Sequence, residues 1–293
     1  MTRVLVIGKS GQVAQALAEK GNENVYCAGR NEADLLDPDS LARIINRHEP
    51  DIILNAGAYT SVDGAETETE LCRALNVDGP ETLAKLCEQN AVRLIHLSTD
   101  CVFDGVKKDP YTVYDEPNPL SVYGQSKRNG EIVVQECAAR SLIVRVSWIF
   151  SKFGNNFVRT MLRLALTREE VSVVDDQLGC PTHAPDLAEA LLQIAEIAAQ
   201  PEFQAWGTYH LAGRGETDRA SMARAIFEAS ARNGGSVAAV LPVSTQAYPT
   251  PARRPLNARL DMTDTTRVFG VCLPDWKEGL DLTVPVLVRE LEG

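Results

Sequence analysis

Several things this chain has little of narrow what it can be. Only 6% of its 293 residues are aromatic, and its four histidines, at 48, 96, 183 and 210, are scattered without metal-ligand spacing, so each is expected to be structural and no metal site is expected. No stretch is long and apolar enough to cross a bilayer. The opening residues run directly into a strand pattern, without a signal peptide's apolar core or small-residue cleavage site. No Cys-x-x-Cys pair occurs: the seven cysteines, at 27, 72, 87, 101, 137, 180 and 272, are odd in number and far apart, which fits reduced thiols and a cytoplasmic location. There is no long run of one charge. The net charge of −11, from 29 basic against 40 acidic residues, is spread along the chain and argues against nucleic acid or an anionic membrane as partner. An anionic small-molecule substrate would need a local basic pocket. No internal repeat or low-complexity segment is present, and the length suits one large domain or two interleaved ones.

What is present begins with a strand, a glycine turn and a helix. Residues 3–7 read as a short buried strand, leading to Gly8 and Gly11, then Gln12, Val13 and a helix over 14–20. Gly8 permits a tight turn, Gly11 lets backbone N–H groups approach a pyrophosphate, and the helix N-terminus adds partial positive charge. A second strand over 24–28 ends in Gly29, Arg30, Asn31 and Glu32, where a dinucleotide fold meets the adenosine ribose. Arg30 favours the 2′-phosphate of NADPH, while Glu32 and Asp34 leave NADH open. Asp34 and Leu35 equally suit the entry to a helix following Pro38.

A third strand over 51–55 leads into Ala56, Gly57, Ala58, Tyr59 and Thr60, a small-residue turn suited to close approach by a cofactor. The spacing predicts a helix over 65–89, broken near Gly79 and Pro80, with Leu71, Leu75, Leu83 and Leu86 on its core face. A fourth strand over 92–97 delivers Ser98, Thr99 and Asp100 at its carboxyl end, where open parallel sheets bind ligands and where turn or helix caps also occur. Tyr123 and Lys127 then lie four residues apart at a helix start, on one face. A phenol has a reference pKa of roughly 10, and an adjacent ammonium is expected to draw it toward working pH, which suits proton transfer at a carbonyl oxygen.

Taken together, Gly8 with Gly11-Gln12-Val13, residues 55–60 with Val62 and Asp63, the run 98–105, Tyr123 to Lys127 with Gly130 and Glu131, and Arg145 to Trp148 resemble the dTDP-4-dehydrorhamnose reductase family of extended short-chain dehydrogenases. The likeness continues through residues 154–157, 177–182, 207–210 and 248–255 to Trp276, nearly the whole chain in order. It implies a Rossmann-type, doubly wound parallel α/β sheet with a smaller interleaved substrate-binding domain, divided near 150. It also implies hydride transfer from NAD(P)H to C4 of a dTDP-linked 4-keto-6-deoxy-L-sugar. By the same resemblance Tyr123 donates the proton, Lys127 holds the nicotinamide ribose, and Thr99 hydrogen-bonds the keto oxygen. Asp100, Trp148 and Asn156 contact the sugar nucleotide. Gly11, Gln12 and Val13 form the phosphate turn, Asp34 and Leu35 the adenine side, and Ala58, Tyr59 and Thr60 the loop beneath the nicotinamide half. A magnesium-dependent homodimer is implied too, although no carboxylate cluster in the sequence supports one.

Two positions depart from the family pattern. Ala14 replaces a glycine, and Cys101 stands where tyrosine is usual, a smaller side chain and a weaker hydrogen-bonding partner. Beyond Phe150 the alternation loosens. Residues 156–166, 186–199 and 221–232 read as amphipathic helices between Pro- and Gly-rich segments, the substrate-binding part. Arg253 and Arg254 suit a diphosphate because guanidinium forks match phosphate geometry, and they suit solvated loop cations equally. Two other readings stand beside the reductase. One is an NAD-retaining nucleotide-sugar epimerase or dehydratase, although dehydration uses an Asp-Glu pair after the threonine and here Cys101 follows Asp100. The other is a non-catalytic regulatory homologue.

Overall fold

The computed structural model describes residues 2–293. Six short strands, β1 (Val4–Ile7), β2 (Val25–Ala28), β3 (Ile52–Asn55), β4 (Arg93–Thr99), β5 (Ser141–Val146) and β6 (Gly207–His210), form one sheet. Their order is β6-β5-β4-β3-β1-β2 and every pairing is parallel. Val4–Ile7 and Ile52–Asn55 are buried at every position, as strands covered by helices on both faces must be. The chain goes from β1 outward to β2, then back to β3 on the other side. This reversal opens a crevice at the carboxyl ends of β1 and β3, where such sheets take their ligands.

Helices α1 (Gln12–Lys20) and α7 (Ala184–Ala198) cover one face through Val13, Leu17, Leu187 and Leu191. On the other face lie α2 (Pro38–His48), α4 (Gly79–Gln89) and α5 (Val122–Cys137), with Leu41, Leu83 and Val134 in the core. A second core joins α6 (Phe157–Ala165), α8 (Arg219–Arg232) and α10 (Trp276–Glu292) around Phe150, Val158, Ile226 and Leu287. Residues beyond 150 thus build this second body and also return α7 and β6 to the main sheet. No described helix is long and apolar enough to cross a membrane, and all seven cysteines are free thiols.

The helix predicted over 65–89 is not one broken rod. A short α3 (Thr69–Arg73) passes through five residues of π-helix, 74–78, into α4, and Pro80 falls in the first turn of α4 where its missing N–H costs nothing. The wider turn shifts the phase of the apolar stripe. Leu83 is fully buried, whereas Leu71, placed in the core by its spacing, is 41% exposed.

Helix α5 is seated by two close approaches. A Cβ on Gly124 would come 2.3 Å from the Cys101 carbonyl oxygen, and one on Gly130 would come 2.2 Å from the Asn76 carbonyl oxygen in the π segment. The Ser121 hydroxyl caps the helix by accepting from Gly124 N–H at 3.1 Å. The Asn76 amide donates to the Ser126 hydroxyl at 2.9 Å. Because backbone stands opposite these glycines, a side chain there has nowhere to go. Gly130→Ala is expected to destabilise the fold by about 2–3 kcal/mol, the size of an overpacked core, in urea unfolding; a midpoint equal to that of the unaltered chain would contradict this seating.

Candidate active site

The turn after β1 makes an anion cradle. Gly8 has φ +111° and Gly11, the N-cap of α1, makes no side-chain cap; a Cβ at Gly11 would meet nothing within 4 Å. The first turn of α1 carries no acidic residue, so its uncapped N–H groups face outward with the helix's positive end. The geometry fits a dinucleotide pyrophosphate. Val13 is buried in the core and offers only its backbone, and Ala14 is packed in the same core. The Gln12 side chain is spent on the second body: its Oε1 accepts from the Ser151 hydroxyl at 2.8 Å and from Asn156 Nδ2 at 3.0 Å.

At the end of β2, Glu32 accepts from the Tyr26 hydroxyl at 2.5 Å. Arg30 stays exposed and pairs with Asp34 at 3.1 Å. The Leu36 N–H, followed by Arg30, holds the Asp34 carboxyl below its ordinary range. Lys9, in the glycine turn, lies against Gly29 and the Glu32 side, adding a second cation that sequence reasoning passed over. In the loop after β3, Ala56, Gly57 and Ala58 are half-exposed and Thr60 is exposed. Tyr59 is buried, its N–H donating to Asn76 Oδ1 at 2.9 Å and its hydroxyl to Glu68 at 2.5 Å, while Leu35 packs under Gly57.

The carboxyl end of β4 gathers the reactive groups. The Thr99 hydroxyl donates to Asp100 Oδ1 at 2.8 Å and accepts from Cys101 N–H at 3.1 Å. Asp100 Oδ2 accepts from the Ser147 hydroxyl at 2.7 Å. Burial raises the Asp100 carboxyl, with Ser147, Thr99 and Arg219 pulling back. Burial also pushes the Cys101 thiol up, which makes it a poor nucleophile. Tyr123 shares this pocket. Burial, then Cys101 and Asp100, push its phenol well above the ordinary range, against a hydrogen bond with Thr99. Lys127 donates to the Leu97 carbonyl at 2.7 Å and is drawn down to about 8 by burial.

One sequence expectation changes here: the Tyr123 phenol is not drawn toward neutrality, because burial raises it and the Lys127 nitrogen is bonded to the Leu97 carbonyl on β4. The Thr99 hydroxyl gives its proton to Asp100.

The substrate side is also rearranged. Asn156 is the N-cap of α6, accepting from Arg159 N–H at 3.1 Å and donating to Gln12, Ser151 and Phe153, so its amide is committed within the chain. Arg254 is clamped by both Asp63 oxygens at 2.8 Å. Its charge is largely answered there, although it still acts on Cys101 and Arg219. Trp148 holds φ +42°, an uncommon backbone for a large residue, and the Arg219 guanidinium stacks 3.4 Å from its ring centroid. No carboxylate lies within salt-bridge distance of Arg219 among the described residues, and burial followed by Arg254 lowers it to about 10 against Asp100. Sequence gave no signal for it, since it sits at the start of α8 as one of many arginines. Among the described residues no three His, Cys, Asp or Glu gather to hold a metal ion.

Comparison with known proteins agrees with this geometry. A family model described as the RmlD substrate binding domain matches residues 1–288. The dTDP-4-dehydrorhamnose reductase of Sinorhizobium fredii is 42% identical over 291 residues, covering 98% of each chain. That of Escherichia coli strain K12 is 40% identical over 285 residues, covering 94% of this chain and 95% of its own. A crystal structure of the reductase from Bacillus anthracis in complex with NADP superposes with a TM-score of 0.89 at 33% identity, over 96% of this chain and 98% of that one. On the glycine cradle, the Thr99–Tyr123 pocket and these matches over nearly its full length, the chain belongs to the dTDP-4-dehydrorhamnose reductase family of oxidoreductases.

Proposed function

We propose that the chain reduces the C4 ketone of dTDP-4-dehydro-6-deoxy-L-mannose, dTDP-4-dehydrorhamnose, to dTDP-L-rhamnose, with NADPH as the preferred hydride source. The observation that carries this is the meeting of Tyr123, Thr99 and Asp100 at the end of β4, two strands across the same sheet edge from the glycine cradle after β1. Reduced nicotinamide, when bound, supplies the hydride. The remaining task is to put a proton on the C4 oxygen. A reduction needs an acid that is still protonated near neutrality, and burial keeps the Tyr123 phenol so. As negative charge develops on the sugar oxygen, that oxygen competes better than the neutral Thr99 hydroxyl for the phenolic proton. Lys127, one turn along α5, holds the cofactor ribose in this reading and supplies positive charge as the phenol gives up its proton.

The sugar nucleotide's anionic group is assigned to Arg219, with Arg254 at the rim. What supports this is that Arg219 is a guanidinium with no carboxylate partner, flattened on Trp148 and facing Asp100 and Cys101. The fork geometry of guanidinium pointed first to Arg253 and Arg254, and Asp63 already pairs with Arg254. Arg30 and Lys9 are assigned to the cofactor's 2′-phosphate, since Glu32 is turned away by Tyr26.

Three measurements test these assignments. Tyr123→Phe should lose most of the sugar-dependent NADPH oxidation, on the order of a hundredfold or more, while cofactor binding by fluorescence titration stays; undiminished turnover would remove Tyr123 from its role. Arg219→Leu should raise the KM for the sugar nucleotide by roughly tenfold with little change in cofactor affinity, and an unchanged KM would return the diphosphate to Arg254. With Lys9 and Arg30 both changed to alanine, the KM for NADPH should rise at least about tenfold while that for NADH holds. Equal effects on both cofactors would speak against a 2′-phosphate site.

A further inference from the structure

Next to the reactive pair lies a buried polar residue with no role assigned so far. His96 lies in the middle of β4 with no exposed surface. Its Nδ1 stands 3.1 Å from Asn55 Nδ2 on the neighbouring strand, and its Nε2 stands 3.5 Å from Lys127 Nζ. The Asn55 amide has only one orientation open to it, because its Oδ1 accepts from Gly57 N–H at 3.1 Å. Its Nδ2 therefore donates to Nδ1, and a neutral imidazole must then carry its hydrogen on Nε2. A protonated ring is disfavoured by burial and by Lys127. The Nε2–H thus points at the lysine nitrogen. An ammonium has three donors and no lone pair, so donor faces donor, which accounts for the long separation; a neutral amine would accept that hydrogen.

We propose that His96 is a positioning residue for Lys127: locked in its Nε2–H tautomer by Asn55, it stabilises the uncharged amine over the ammonium and so makes the lysine's proton easy to give up. The lock begins at Gly57, in the loop assigned to the nicotinamide half, so the backbone beneath the cofactor and the charge of Lys127 are linked through one amide and one imidazole. Two other groups facing Lys127 favour its charge instead: Glu131, one turn along α5, and Cys72 from α3. Tyr123 stands one turn back on the same helix. The Glu131 carboxylate is shared among Arg145, Arg128 and Ser98, which weakens its hold on the amine. The consequence for turnover rests on the reading of Lys127 given above, but the tautomer and the titration do not.

Long-range proton–nitrogen NMR of the 15N-labelled chain should show His96 with Nδ1 bare and Nε2 protonated across the neutral range. The 13Cε titration of Lys127, identified by its loss in Lys127→Arg, should have its midpoint near 8. In His96→Gln, whose side-chain carbonyl can accept from the ammonium, that midpoint should rise by roughly one pH unit, the worth of one buried hydrogen bond. A His96 hydrogen found on Nδ1, or an unmoved lysine titration in folded His96→Gln, would overturn the proposal. Should that variant not fold, the tautomer in the unaltered chain decides alone. Neither result depends on the reductase assay, so a failed Tyr123→Phe prediction and a failed tautomer prediction are told apart.

Discussion

The Glu131 carboxylate is what the catalytic end of the molecule is fastened to. It has no exposed surface, and it takes two bonds from Arg145 on β5 at 2.8 and 2.7 Å, one from Ser98 on β4 at 2.6 Å and one from Arg128 at 3.0 Å. Burial alone would raise its pKa, but Arg145 and the others more than offset that and keep it charged. Removing one partner from such a buried pair typically costs about 3–5 kcal/mol, so its geometry is held firmly. Through it, α5 is tied to β4 one residue before Thr99. Gly124 and Gly130 set how close the helix lies, and Glu131 fixes where along the strand it stops.

Around that anchor, the ionisable groups of the pocket are all moved by the same force. Burial raises the Asp100 carboxyl, the Cys101 thiol and the Tyr123 phenol and lowers Lys127, so every one of them leans toward its neutral form. A pocket whose groups lean toward their neutral forms suits the reaction proposed above, because charge developing on a substrate oxygen meets fewer competing charges there. Arg219 is the exception, a cation left without a carboxylate at the edge of this region.

The two halves of the site are held together by polar side chains, among them residues the sequence offered for cofactor and substrate contact. Gln12, Ser151 and Asn156 join the glycine turn to the start of α6. Asp63 and Arg254 join the loop after β3 to the segment near 252. These links fix how the second body faces the sheet, and so where a sugar nucleotide would lie against the cofactor.

Much of this was legible from residue order. Buried apolar runs followed by glycine turns, small residues and helix caps are local features, and they located β1 to β4, α1, the start of α5 and the cradle. The spacing of Tyr123 and Lys127 is also local, since one helical turn brings them to the same face. What the sequence could not decide was who answers whom. Arg254 and Arg219 read alike as letters, and only the fold sets Asp63 against one and Trp148 against the other. The ammonium beside the phenol suggested a lowered pKa, yet burial, a property of the whole packed chain, sent it upward. Leu71 followed the apolar stripe until a π turn rotated it outward. Local geometry travels with the sequence, whereas desolvation and charge pairing depend on which distant residues arrive, and those only tertiary structure brings.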